Sequence, residues 1–110
     1  MFEKDLSVAY LLDFYGDILS ERKRDVLDAY YNNDLSLSEI AVELDISRQG
    51  VREMIKKAEK ELRFYEEKLR LAGRFREAGE HAATLMALAD RYALPGEVLA
   101  EIRALEDSML

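Results

Sequence analysis

Two short apolar stripes on either side of a three-residue interruption (residues 45–47) constrain the fold of this chain more than any other feature. They lie in the segment SLSEIAVELDISRQGVREMIKKAEKEL (residues 36–62). Apolar residues recur there at helical spacing, first at Ile40, Ala41 and Leu44, then at Val51, Ile55, Ala58 and Leu62. Between the stripes, Asp45 tolerates left-handed backbone and Ser47 can cap a following helix. The pattern predicts a helix-turn-helix, in which the small side chain of Ala41 lets two helices cross steeply.

The remaining sequence predicts only further helices. Hydrophobic residues make up 49% of the chain and there is one proline, a composition that favours a compact all-α protein over a disordered one. Either Ser36 or Ser38 can cap the first motif helix. We expect helices over residues 5–18, 20–31 and 75–93, and a last helix that begins near Pro95.

The second motif helix is predicted to continue well past a minimal motif. Its apolar stripe runs on at Tyr65, Leu69 and Ala72, and Gly73 is expected to end it. Such a seam suits packing along another long helix, within the chain or across a homodimer, and we predict a homodimer. We expect residues 1–72 to form a helix-turn-helix domain without a wing, and residues 73–110 a helical extension packing on it in one globular unit.

Positive charge is concentrated on one helix of an otherwise acidic protein. The net charge is −7, yet residues 47–63 hold six basic and three acidic side chains. At 100° per residue, one side of this helix carries five polar residues that we predict to contact nucleic acid: Arg48, Gln49, Arg52, Lys56 and Lys60. This set is called the basic face below. We expect Gln49 and Arg52 to contact base edges and the other three residues to contact phosphates.

The same charges have a simpler explanation. A long surface helix needs a charged side, and pairs between positions i and i+4 serve solubility. The basic face is then solvated or meets another protein. Tyr10, Tyr15, Tyr30 and Tyr31 lie at helical spacing among leucines, so we expect them in the core and not stacked on bases.

Catalytic chemistry has little support in the sequence. There is no cysteine, the only histidine is His81, and the five glycines form no phosphate-binding loop. We expect no enzyme activity, no metal site and no cofactor. The stretch MFEKDLSVAY lacks the pattern of a signal peptide, and no apolar run is long enough to span a membrane, so we expect a cytoplasmic protein.

Two resemblances rest on these motifs. The segment LSLSEIAVELDISRQGVREMIKKAEKEL resembles the fourth region of bacterial sigma factors, a helix-turn-helix that reads promoter DNA. The wider chain resembles the YlxM family, through the runs LLDFYGDIL, YYNNDLSLSEIA, SRQGV, IKKAEKEL and YEEKL, which cover about residues 6–72. Many members of that family have alanine and an aromatic residue after SRQ, where this chain has Gly50, Val51 and then Arg52.

The resemblance implies a regulatory or accessory role in the signal recognition particle pathway. It implies binding to the particle, whose core is an RNA and a GTPase, with a sigma-like helix-turn-helix as the binding module. Two alternatives remain open. One is a DNA-binding transcriptional regulator that inserts residues 47–60 into the major groove. The other is a protein–protein adaptor in which the motif is only a scaffold.

Overall fold

The computed structural model describes residues 4–109, which form six α-helices and no strand. In chain order they are α1 (Leu6–Tyr15), α2 (Glu21–Leu27), α3 (Leu37–Leu44), α4 (Arg48–Leu69), α5 (Leu71–Arg91) and α6 (Gly96–Ser108). They divide into two compact units, one up to Arg70 and one from Leu71 onward. The prediction of an all-α fold built on a helix-turn-helix and extended by further helices is confirmed. That residues 73–110 pack on the first unit stays a prediction.

Serine side chains set the starts of α2 and α3. The Ser20 hydroxyl oxygen accepts a hydrogen bond from the backbone N–H of Lys23. At α3, Ser36 Oγ accepts the Glu39 N–H at 3.1 Å, and Glu39 Oε1 accepts the Ser36 N–H at 3.0 Å. Of the two serines that could cap α3, it is therefore Ser36 that does so, in a reciprocal arrangement that satisfies two backbone donors.

A single core fills the first unit. Helix α4 packs against α1, α2 and α3. Its contribution to the core consists of four completely buried side chains, Val51, Ile55, Ala58 and Leu62. The other helices and turns supply Val8, Leu12, Tyr15, Leu19, Val26, Leu27, Tyr30, Ile40 and Ala41. Because the first half of the α4 seam is covered within its own unit, it cannot also pair with a second chain.

The turn between α3 and α4 has the predicted left-handed residue. Asp45 adopts φ 54° and ψ 47°, and the following N–H, that of Ile46, donates to the Ala41 carbonyl at 3.1 Å. Ser47 then caps α4, its Oγ accepting the Gly50 N–H at 2.9 Å. These bonds fix the direction in which α4 leaves the turn, so the helix-turn-helix prediction is confirmed in its local detail.

The prediction that Gly73 ends the long helix is wrong. Helix α4 ends at Leu69, because Arg70 turns left-handed at φ 56° and ψ 28° and its N–H donates to the Glu66 carbonyl at 2.9 Å. Gly73 and Ala72 lie inside α5. The end of α4 was predicted wrongly because a left-handed helix cap is usually a glycine. An arginine at that position does not indicate a helix end in the sequence.

The helices expected over residues 5–18 and 20–31 are each interrupted. Helix α1 ends at Tyr15 and a 3-10 turn covers Gly16–Ile18, where an added Cβ on Gly16 would lie 3.3 Å from Leu12 Cδ1. Helix α2 ends at Leu27 and continues as a π-helical turn over Asp28–Asn32. A π-helical turn changes the register of side chains around a helix axis. Here Tyr30 enters the core and Tyr31 is half-buried.

The second unit is a helical hairpin. Helices α5 and α6 pack against each other and are joined by four residues, with Pro95 as the N-cap of α6. Helix α5 begins at Leu71 and ends at Arg91, earlier at both ends than the expected 75–93. The Leu94 N–H donates to the Ala89 carbonyl at 2.9 Å, which closes the end of α5.

Candidate nucleic-acid interface

The structure brings the five predicted contact residues onto one side of α4. The basic face occupies an arc of roughly 120° around the helix, beginning beside the buried Val51. Arg48, Gln49, Lys56 and Lys60 are exposed, whereas Arg52 is half-buried. Arg48 and Lys60 are separated by roughly 18 Å along the helix axis. A cationic strip of this length matches the spacing of several successive nucleic-acid phosphates.

Two glutamates of α4 accept hydrogen bonds from neighbouring tyrosine hydroxyls. Glu59 accepts a hydrogen bond from the Tyr31 hydroxyl, and its side chain is only 12% exposed. Glu66 Oε1 accepts from the Tyr15 hydroxyl at 2.6 Å. Glu59 lies among the cations in angular position around α4, but its charge is engaged at the edge of the core.

A third glutamate faces the opposite side of α4. Glu61 Oε2 lies 2.8 Å from Lys23 Nζ, and Glu61 Oε1 accepts from the Tyr65 hydroxyl at 3.1 Å. The hydrogen bond from Lys23 holds the pKa of the Glu61 carboxyl below its usual range. Burial, followed by the hydrogen bond to Glu59, raises the pKa of Tyr31 well above the ordinary tyrosine value. Both groups therefore keep their hydrogen-bonding protonation states at neutral pH.

Not every charge near the basic face is available to a ligand. Arg63 Nη2 lies 3.3 Å from Asp5 Oδ2 and 3.7 Å from Glu59 Oε2, so Arg63 is used within the unit. Gln49 Nε2 donates to Glu53 Oε1 at 3.4 Å, a long bond between exposed side chains that a ligand can replace. Glu53 is the first acidic residue within α4 and is exposed.

Lys4, at the edge of the basic face, was missed by the sequence reasoning. An open cavity of about 420 Å³ is lined by Arg48 and Arg52 together with Lys4 and Tyr30. Lys4 Nζ lies 3.0 Å from Asp34 Oδ1 and 4.5 Å from the centre of the Tyr30 ring. No local pattern links Lys4 to residues more than forty positions later, so only the fold brings these cations together.

Residues considered for other chemistry do not assemble into a site. His81 is exposed on α5. Among residues 4–109, no group of three or more His, Cys, Asp or Glu side chains is arranged to hold a metal ion. Within the same residues, every helix is too short or too polar to cross a membrane. The basic face is therefore the surface of the described chain with the clearest chemical character.

Comparison with known proteins gives one consistent answer. The family model described as "Putative helix-turn-helix protein, YlxM / p13 like" (UPF0122) matches residues 2–95. A UPF0122 protein of Halalkalibacterium halodurans is 41% identical over 106 residues, covering 96% of this chain and 97% of its own. One from Bacillus cereus is 46% identical over 88 residues, 80% of each chain. One from Thermoanaerobacter is 50% identical over 72 residues, 66% of this chain and 62% of its own.

The family match spans both the helix-turn-helix and most of the hairpin that follows it, and one relative aligns over almost the whole chain. The chain therefore belongs to the UPF0122 family of YlxM/p13-like helix-turn-helix proteins.

Proposed function

We propose that this protein is a non-enzymatic accessory factor of the signal recognition particle that binds the particle's RNA through the basic face of α4. The observation that carries the proposal is the distribution of charge on α4. Four of its cations, Arg48, Arg52, Lys56 and Lys60, share one side of the helix. On the same helix Glu59, Glu61 and Glu66 are engaged by tyrosine hydroxyls and Lys23. A local cationic strip on a protein of net charge −7 is an electrostatic site for a polyanion.

The acidic remainder of the protein supports a second contact. Outside residues 47–63 acidic side chains outnumber basic ones, so this surface is suited to a basic protein partner such as the particle's GTPase. We further propose that the protein acts in the cytoplasm and as a homodimer. The roles assigned to the five residues follow from position. Gln49 and Arg52, near the start of α4, contact bases, and Arg48, Lys56 and Lys60 contact phosphates.

A specific observation favours duplex DNA as the second candidate ligand. Helix α4 begins at an exposed, serine-capped N-terminus directly after the left-handed turn at Asp45. A recognition helix presents its first residues to the major groove in this way, and Gln49 and Arg52 are the side chains that would read base edges. A DNA-binding regulator uses the same basic face, so the two candidates differ in ligand and not in site.

Mobility-shift titration near about 50 mM salt separates these candidates. The protein is titrated with the signal recognition particle RNA and, separately, with pooled duplex genomic fragments. We expect tighter, salt-dependent binding to the RNA, lost in a variant that combines Arg48→Ala, Arg52→Ala and Lys56→Ala. Preference for duplex fragments would establish the DNA regulator instead. If the triple variant binds its partner normally, the motif is a scaffold and the adaptor hypothesis replaces both.

A further inference from the structure

The α5–α6 hairpin buries few large apolar side chains. Within it, only Ala72, Ala82, Ala89 and Ile102 are buried, and three of these four are alanines. A unit of 40 residues lies at the size below which oligomerisation, disulfides or metals are usually needed. The chain has no cysteine, and the described residues contain no metal-binding cluster.

Large apolar side chains of the hairpin remain exposed instead. The exposed fractions are 47% for Leu85, 40% for Leu88, 64% for Tyr92 and 46% for Leu105. On α5, the first three lie within roughly 60° of one another and to one side of the buried Ala82 and Ala89. On α6, Leu105 is rotated about the helix axis away from the buried Ile102. The direction of rotation is the one by which the exposed residues of α5 differ from Ala82 and Ala89. Because the helices of a hairpin run antiparallel, rotation in the same direction on both helices places the four exposed side chains on one face of the hairpin. This face, formed by Leu85, Leu88, Tyr92 and Leu105, is called the hairpin face.

We propose that the hairpin face pairs with the same face of a second copy of this chain, so that two hairpins form a four-helix bundle. The inference deepens the homodimer part of the proposed function and is independent of the ligand that the basic face binds. Pairing two hairpins gives about 80 residues around one core, the size at which a helical bundle can be stable. In a dimer with two-fold symmetry, each exposed leucine contributes to the interface twice, once from each copy.

The size of the hairpin face suits a second copy of the hairpin. Helix α5 is 21 residues or roughly 32 Å long, α6 is 13 residues or roughly 20 Å long, and each packed helix is roughly 10 Å wide. Their outline is roughly 500 Å², and the corrugated accessible area is larger. A stable interface of standard size needs about 800 Å² from each partner. The hairpin face therefore suits a whole second hairpin better than a short peptide.

The charges beside the apolar stripes also fit pairing between α5 of one copy and α6 of the other. Arg74 and His81 lie in line with the exposed leucines of α5, and Glu97 and Glu101 lie beside Leu105 on α6. Antiparallel α5–α6 contacts across the two-fold axis bring acidic residues towards basic ones. Pairing α6 with α6 would bring glutamates together, which disfavours that alternative.

Sedimentation equilibrium of the full chain tests the proposal. We expect the native protein to have twice the mass of one chain, and the variant combining Leu85→Glu and Tyr92→Glu to have the mass of one. The matched control is Leu6→Glu, a leucine on α1 that is 77% exposed, and this variant should remain dimeric. Far-UV circular dichroism checks that each variant is folded. If the double variant unfolds, Leu85→Ala replaces it and should raise the dimer Kd about tenfold or more.

Two results would overturn the proposal. The first is a native protein that is monomeric at every concentration, which would mean that another part of the same chain or a different partner covers the hairpin face. The second is a dimer that the Leu85 variants do not weaken. Neither result depends on nucleic-acid binding, so failure of the dimer and failure of the basic face as a binding site are distinguishable.

Discussion

The Tyr31 hydroxyl donates a hydrogen bond to Oε1 of Glu59, joining the π-helical turn after α2 to the middle of α4. The bond holds a carboxylate that is adjacent in sequence to Lys60 at the edge of the core. Glu59 lies among the cations in angular position around α4, but its side chain is only 12% exposed. Folding and the electrostatics of the candidate interface are linked through this pair.

Removing the Tyr31 hydroxyl should therefore affect both properties. Because hydrogen bonds to ionised groups contribute about 1.5–3 kcal/mol, we expect Tyr31→Phe to lower the free energy of unfolding in urea by a similar amount. The released Glu59 should also weaken nucleic-acid binding. Tyr65→Phe is the matched control. Glu61 keeps Lys23 as a partner on the opposite side of α4, so binding should not change. Equal effects of both variants on binding would contradict the account.

Alkaline pH should destabilise the first unit. Burial is the main cause that raises the pKa of Tyr30, Tyr31 and Tyr65 in the folded protein. A tyrosine pKa raised above the unfolded value of about 10 stabilises the fold fully below that pH, and this stabilisation is lost as pH rises above it. We expect the Tm to fall above about pH 10, less steeply in Tyr31→Phe. An unchanged slope in that variant would show that Tyr31 does not contribute.

The start of α4 should show coupling between Ser47 and Gly50. Alanine in place of Ser47 removes the N-cap and should cost about 1 kcal/mol. Gly50→Ala alone should have little net effect, because the gain in helix propensity is opposed by a Cβ that lies 3.2 Å from Ser47 Oγ. In the Ser47→Ala background that contact is absent, so Gly50→Ala should stabilise by up to about 1 kcal/mol. Strictly additive effects in chemical denaturation would contradict this.

The crossing of α3 and α4 should depend on the small side chain of Ala41. Ala41 is buried beneath α4, so Ala41→Leu should destabilise the protein by about 1–3 kcal/mol through overpacking. The neighbouring Val42 is 82% exposed on the same helix. Val42→Leu should therefore leave the Tm nearly unchanged and serves as the matched control. Similar losses in both variants would contradict a specific role for Ala41 at the crossing.

The sequence predicted the helix-turn-helix well because its signals are local. Ser36, Asp45 and Ser47 act through hydrogen bonds or backbone conformations within four residues, and the buried stripe of α4 follows from helical periodicity. The end of α4 was mispredicted since the left-handed cap is Arg70, and the glycine expected to end the helix lies inside the next one. The π-helical turn has no sequence signature, so the interruption after Leu27 was also missed.

For the candidate site, the sequence identified which residues share a face but not their surroundings. The placement of Arg48 and Lys60 on one face of α4 follows from a rotation of 100° per residue. The hydrogen bond from Tyr31 to Glu59 and the cluster of Lys4 with Arg52 join residues far apart in sequence, and tertiary packing alone creates them. Helical angle alone places Glu59 among the cations and says nothing of its hydrogen bond to Tyr31.

Charge reversal at two adjacent lysines tests the central claim most directly. Lys56 belongs to the basic face, and Lys57 is equally exposed but lies roughly 100° away around α4. Binding to the signal recognition particle RNA and to duplex DNA is measured against salt concentration for Lys56→Glu and Lys57→Glu. We predict that Lys56→Glu reduces the affinity about tenfold or more and flattens the salt dependence, whereas Lys57→Glu changes the affinity less than about threefold. Equal losses in the two variants, or no loss in either, would contradict nucleic-acid binding through the basic face.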